Sequence, residues 1–150
     1  TDLKLINYIA SKKKPIIIST GNSSVKEIKK AIKTINKYHH KIIILHCVSS
    51  YPTKLKNTNL ERIYKLKEVF KKYYIGLSDH TSSIVSTIAS IPIGVVAIEK
   101  HFKLDNETNS VDAKFSITPE KLRELVKIKK DLFYSIKNKK YDGSSRKFIN

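Results

Sequence analysis

Cysteine is nearly absent from this chain: Cys47 stands alone, which excludes an internal disulfide and, with no close paired-ligand spacing, a structural zinc site. Long apolar runs are missing too. The longest, Pro15 to Ile18 and Ile42 to Leu45, have strand length, far below the roughly 18 to 20 residues of a membrane span. The first residues are an amphipathic mixture without the pattern of a signal peptide, so a cytoplasmic location with no membrane partner is the expectation. Acidic residues are scarce, 13 against 30 basic ones, leaving a net charge of +17. That imbalance raises a nucleic-acid reading. Arginine is scarce as well, however, confined to Arg62, Arg123 and Arg146, and the lysines are spread over helix faces and loops without interleaved aromatics. Nucleic acid is therefore not the expected partner, although the charge would concentrate anionic substrates near the surface. No Gly-x-Ser-x-Gly elbow, P-loop, dinucleotide fingerprint or internal repeat is present.

What is present is one domain's length, 150 residues with 40% apolar content, enough to bury a core. Two periods alternate along it. Strands are expected at Pro15 to Ser19, Lys41 to Cys47, Tyr74 to Leu77 and Val95 to Ile98, each short, apolar and non-alternating, as in sheets covered on both faces. Helices are expected around them. One spans Leu3 to Ala10. The next carries Val25, Ile28, Ile32 and Ile35 at helical spacing and opens on the capping box Ser24-Val25-Lys26-Glu27. A third carries Leu60, Ile63, Leu66 and Phe70, with Asn57 or Asn59 as its cap, and a short one runs from Ser82 to Ile91 until Pro92 stops it. The last begins at Thr118-Pro119-Glu120, with Thr as cap and Pro at the first helical position, and buries Leu122, Leu125, Leu132 and Ile136.

This is an α/β pattern with a parallel sheet. A doubly wound open sheet competes with part of a (β/α)8 barrel, and polar placement favours the barrel. Ser19, Ser49 with Tyr51, Ser78 with His80, and Glu99 with His101 all fall at the C-terminal ends of successive strands, where barrel enzymes build their sites. About four β/α units make a partial barrel over residues 1–136, since a full one needs about 250 residues. Residues 137–150, rich in Lys, Asn, Gly and Ser, read as a linker.

His80 and His101 are the leading functional candidates. Singly, a histidine at a strand end is ordinarily structural. As a pair on neighbouring strand ends, each beside a carboxylate (Asp79, Glu99) able to orient an imidazole or hold a water, they suit an open N/O site for Mn²⁺ or a similar ion. His39 and His40 are expected on the surface, and His46 and Cys47 are expected to be packing residues inside a strand. Ser19-Thr20-Gly21-Asn22, Ser49-Ser50-Tyr51 and Ser78 add hydroxyls and amides suited to phosphate or carboxylate.

The stretches Lys-Pro-Ile-Ile-Ile-Ser-Thr-Gly (14–21), Leu-His-Cys-Val-Ser-Ser-Tyr-Pro-Thr (45–53), Ile-Gly-Leu-Ser-Asp-His-Thr (75–81) and Ile-Glu-Lys-His-Phe (98–102), in this order, resemble the N-acetylneuraminate (sialic acid) synthase family, which includes the legionaminic and pseudaminic acid synthases. The resemblance implies a metal-dependent barrel that condenses phosphoenolpyruvate with an N-acetylated, N-acetylmannosamine-like sugar aldehyde to give a nonulosonic acid and phosphate. It implies that His80 and His101 ligate Mn²⁺ or Mg²⁺. Ser19, Ser49 and Ser78 would line the phosphoenolpyruvate site, and Ser49 departs from the Asn of some members. Tyr51 and Asp112 would contact the sugar. Glu99, with Asp79 the second carboxylate of the catalytic pair, would support the metal or its water, and Glu99 or a residue outside this chain would activate the attacking water. The family's first strands have no counterpart before Thr1, and its C-terminal antifreeze-like domain, which completes a partner's site in a homodimeric parent enzyme, has none after a junction-like Gly143 to Phe148. The isolated chain is therefore expected to be inactive. Two alternatives stand beside this reading: another phosphoenolpyruvate-using aldolase or synthase on the same barrel, and a non-catalytic anion- or nucleic-acid-binding module driven by charge.

Overall fold

The computed structural model describes residues 2–106 and 109–136. The expected linker, 137–150, lies outside the described residues. Its elements follow as α1 (Leu3–Ser11), β1 (Ile16–Ser19), α2 (Val25–Ile35), β2 (Ile42–Cys47), α3 (Arg62–Val69), β3 (Tyr74–Asp79), α4 (Val85–Ser90), β4 (Ile98–Lys100) and α5 (Pro119–Ile136). The four strands form one parallel sheet in the order β1-β2-β3-β4, the arrangement of a half-barrel with helices on its outer side. No helix among the described residues is long and apolar enough to cross a membrane.

Local chemistry explains most element ends. Asp2 caps α1 by accepting from the amides of Lys4 and Leu5. Ser24 and Glu27 form the expected reciprocal capping box of α2. At α5 the Lys121 amide donates to the Thr118 hydroxyl at 3.4 Å. α3 differs from expectation: neither Asn57 nor Asn59 caps it, because Asn59 takes a left-handed conformation (φ 46°) in the preceding turn and the helix starts only at Arg62.

The core lies between the sheet and its helices. Ile28, Ile32 and Ile35 of α2 and Ile63 and Leu66 of α3 pack against Ile42, Ile44, Ile75 and Leu77 of the strands, joined by Ala10 and Phe70. Each of the isoleucine, leucine and phenylalanine side chains contributes roughly 1.5 to 3 kcal/mol through burial. Gly76 is required where the sheet is tightest, since a Cβ there would stand 2.5 Å from Leu45 and 2.6 Å from the Ala97 carbonyl oxygen. The expected stripe of α5 is only partly met. Leu125 is buried and packs with Ile84 and Ile117, whereas Leu122 and Ile136 are exposed.

Two strands end later than the apolar runs suggest. β3 continues through Ser78 and Asp79, and β4 occupies Ile98–Lys100 rather than Val95 to Ile98. Pairing between them is the cause. Ser78 pairs with Glu99 and Asp79 with Lys100, so parallel hydrogen bonding carries polar residues into the ladder that hydropathy alone assigns to loops. His80 and His101 thereby become the first residues past β3 and β4.

Candidate active site

Alternation along a strand sends neighbouring residues to opposite faces of the sheet. Ser78 and Glu99, register partners, meet on the site face, where the Ser78 hydroxyl donates to Glu99 Oε1 at 2.7 Å. Cys47, the register partner of Ser78, lies beside them. His80 follows on the same side. Its Nδ1 lies 2.9 Å from the Val48 carbonyl oxygen and its Nε2 3.4 Å from Ser78 Oγ. The backbone at His80 is also tied down, its carbonyl accepting from the Thr53 amide at 2.9 Å.

His101 completes the group. Its ring centroid lies 5.4 Å from that of His80, and its Nδ1 faces Asp112 Oδ2 at 3.3 Å. Tyr51 stacks at a tilt over His80 with centroids 4.2 Å apart, and Phe115 packs edge-on against His101 at 4.7 Å. Buried Phe115 and exposed Tyr51 thus form an aromatic wall around two imidazoles.

Proton positions follow from the partners. A backbone carbonyl only accepts, so Nδ1 of His80 carries the proton and Nε2 the lone pair. The carboxylate of Asp112 likewise accepts from Nδ1 of His101. The Ser78 proton is already given to Glu99, so it does not satisfy Nε2 of His80. The two rings stand with centroids 5.4 Å apart, each with Nδ1 against an oxygen acceptor. Metal-ligating histidines are ordinarily held in this way, through an oxygen acceptor on the other nitrogen. Among the described residues no group of three or more His, Cys, Asp or Glu side chains is placed to hold a metal ion, so the two imidazoles are the nitrogen donors this cluster offers.

Two expectations about the carboxylates need correction. Asp79 does not orient an imidazole. It turns to the helix side, where it accepts from the Thr81 amide at 2.9 Å and the Thr87 hydroxyl at 2.5 Å and pairs with Lys100 at 3.2 Å. The acceptors that orient the rings are the Val48 carbonyl and Asp112, the first invisible to sequence and the second eleven residues from its histidine. Glu99 likewise contacts Ser78 rather than His101.

The serines divide. Ser78 is inside the cluster. Ser49 is exposed but close: a Cβ on Gly21 would come within 2.1 Å of Ser49 Oγ, so glycine is what lets these two loops approach. Ser19 is exposed on β1 and makes no side-chain hydrogen bond among the described residues, whereas its neighbour Thr20 is buried and donates to the Leu45 carbonyl at 2.8 Å. Cys47, expected to be mere packing, lines the site 4.0 Å from His80 Nδ1, and burial pushes its thiol up from the usual value, against the pull of hydrogen bonds with Ser78, Gly21 and Ser49. Strand alternation was the available signal for it. His46 keeps its structural expectation, with Nε2 donating to the Thr58 carbonyl at 2.7 Å on the helix side. Of the other two, His40 is exposed and His39 half-buried.

Paired imidazoles, a carboxylate and hydroxyls at the strand ends of a parallel half-barrel define the class: a (β/α)-barrel chain with its polar cluster at the C-terminal rim. Residues 1–141 match the model of the NeuB family, and the chain belongs to that family. It is 42% identical to an uncharacterized protein of Methanocaldococcus jannaschii over 81% of this chain and 36% of that one. It is 34% identical to the N,N'-diacetyllegionaminic acid synthase of Legionella pneumophila over 87% of this chain and 38% of that enzyme. Among solved structures, the N-acetylneuraminic acid synthetase of Leptospira borgpetersenii superposes with a TM-score of 0.87 at 30% identity, covering 94% of this chain and 49% of the other. The chain spans a little over a third of the length of these curated relatives.

Proposed function

We propose that this chain provides the metal-binding and phosphate-binding rim of a synthase that condenses phosphoenolpyruvate with an N-acetylated amino-sugar aldehyde to form a nonulosonic acid and phosphate. The observation that carries the reading is the pair of imidazoles at neighbouring strand ends, centroids 5.4 Å apart, each with Nδ1 against an oxygen acceptor. The names of the relatives, legionaminic and pseudaminic acid synthases among them, support the chemistry.

His80 and His101 would hold Mn²⁺ or Mg²⁺, which when bound supplies positive charge to an aldehyde undergoing attack. Ser49, with the amides of the strand-end loops, would hold the phosphate and carboxylate of phosphoenolpyruvate, so that its methylene carbon meets the aldehyde carbon as if intramolecularly, while Ser78 stays committed to Glu99. Tyr51 and Asp112, both exposed at the mouth, would contact the sugar. Glu99 would take a proton from the water that adds to the oxocarbenium-like carbon left by that attack, after which the tetrahedral carbon expels phosphate, and the Ser78 hydroxyl holds that carboxylate in place. Asp79 acts on none of these atoms.

Calorimetric titration with Mn²⁺ of the wild-type chain and of His80→Ala/His101→Ala tests the proposal. Saturable binding in the first and none in the second is expected. Equal binding by a folded double variant would overturn it.

A further inference from the structure

Behind the sheet, a buried ion pair joins the two strand ends that carry the imidazoles. Asp79 closes β3, Lys100 closes β4, and the two are register partners. Each is followed at once by a histidine of the site. Because side chains alternate across a strand, the pair and the histidines occupy opposite faces of the same two chain positions. The side chains of Lys100 and Asp79 are only 4% and 2% exposed. The ammonium reaches Asp79 Oδ2 at 3.2 Å and the Thr81 carbonyl at 2.7 Å, so it holds the residues on both sides of His80. The Asp79 carboxylate closes the same loop from within by accepting from the Thr81 amide, and it is itself fixed to α4 by Thr87.

Such a pair adds little net stability, since desolvating two charges offsets most of their attraction. Its geometric effect is separate. A cross-link from the end of β4 to both flanks of His80 leaves the two histidine backbones little freedom to move apart. We propose that Asp79 and Lys100 are a positioning pair that sets the separation of the His80 and His101 imidazoles. The metal-binding consequence rests on the two-imidazole reading above; the separation itself does not.

The test uses the full chain, metal-free, and reads the nuclear Overhauser effect between the ring protons of His80 and His101. A parallel titration reads Mn²⁺ affinity. Asp79→Asn/Lys100→Met removes both charges together, so no lone buried charge remains, and the amide oxygen still offers an acceptor to the Thr81 amide. Wild type and Lys100→Arg should show the ring-to-ring effect. The double variant should unfold cooperatively, lose the effect several-fold and bind Mn²⁺ at least tenfold more weakly. A folded double variant with an undiminished effect would overturn the proposal, whatever its metal affinity. Should that variant not fold, Lys100→Gln keeps a donor for the Thr81 carbonyl while giving up the ion pair, and the same reading decides. A wild-type chain that binds no Mn²⁺ removes the metal reading alone, and the ring-to-ring effect still judges the positioning.

Discussion

The two faces of this sheet are built from alternate residues of the same strands, yet they have different physics. On the helix side, Ile42, Ile44, Ile75 and Leu77 are at most 3% exposed and are packed by α2 and α3. On the site side stand Ser19, Cys47, Ser78 and Glu99, with His80 and His101 just beyond them. Burial energy is concentrated on the first face, and hydrogen-bonding capacity left for a ligand on the second. The comparison teaches that strands only three to six residues long can carry both roles because their period is two.

The largest expected effect tests the helix side. Ile63→Ala removes a side chain with 0% exposure and should lower stability by about 2 to 5 kcal/mol in urea denaturation, through lost burial and the cavity left behind. Next comes a titration that belongs to the same face. Burial lowers the pKa of His46, although its hydrogen bond to the Thr58 carbonyl opposes the shift. The unfolded chain therefore binds the proton more readily than the folded one. Stability from this group is full above its usual 6.5 and falls as pH drops toward the depressed folded value, by at most about 1.4 kcal/mol per pH unit. Denaturation between pH 7 and 5 should show that slope, and His46→Gln should flatten it. Ser24→Ala, which breaks the capping box of α2, should cost about 1 kcal/mol. The smallest effect is on the site side: Ser19→Ala should change stability by less than about 0.5 kcal/mol. A Ser19 variant as destabilised as Ile63→Ala would end the distinction between the faces.

Much of the architecture was legible because it rests on local rules. The capping box at Ser24, the proline at the start of α5, the stop at Pro92 and the apolar runs of β1 and β2 are short-range signals, and the structure bears them out. The pairing of His80 with His101 was readable from their strand-end positions. What was misread depended on partners distant in sequence. β4 lies three residues later than its β-branched run because β3 selects the register. Asp79 appeared to serve the neighbouring histidine, and in fact serves Lys100, twenty-one residues away. Asp112 was placed on the sugar by resemblance, and in the structure its carboxylate faces His101.

The sequence by itself determined a half-barrel of β/α units, the amphipathic helices that cover it, and a set of polar residues delivered to one end of the sheet. Periodicity and capping are properties of neighbours along the chain, so neighbours suffice to specify them. Only the tertiary structure decided which oxygen holds each imidazole, which carboxylate faces the site and which is buried behind it, and how near the rings stand. Those are distances between strands, and register and loop packing set them.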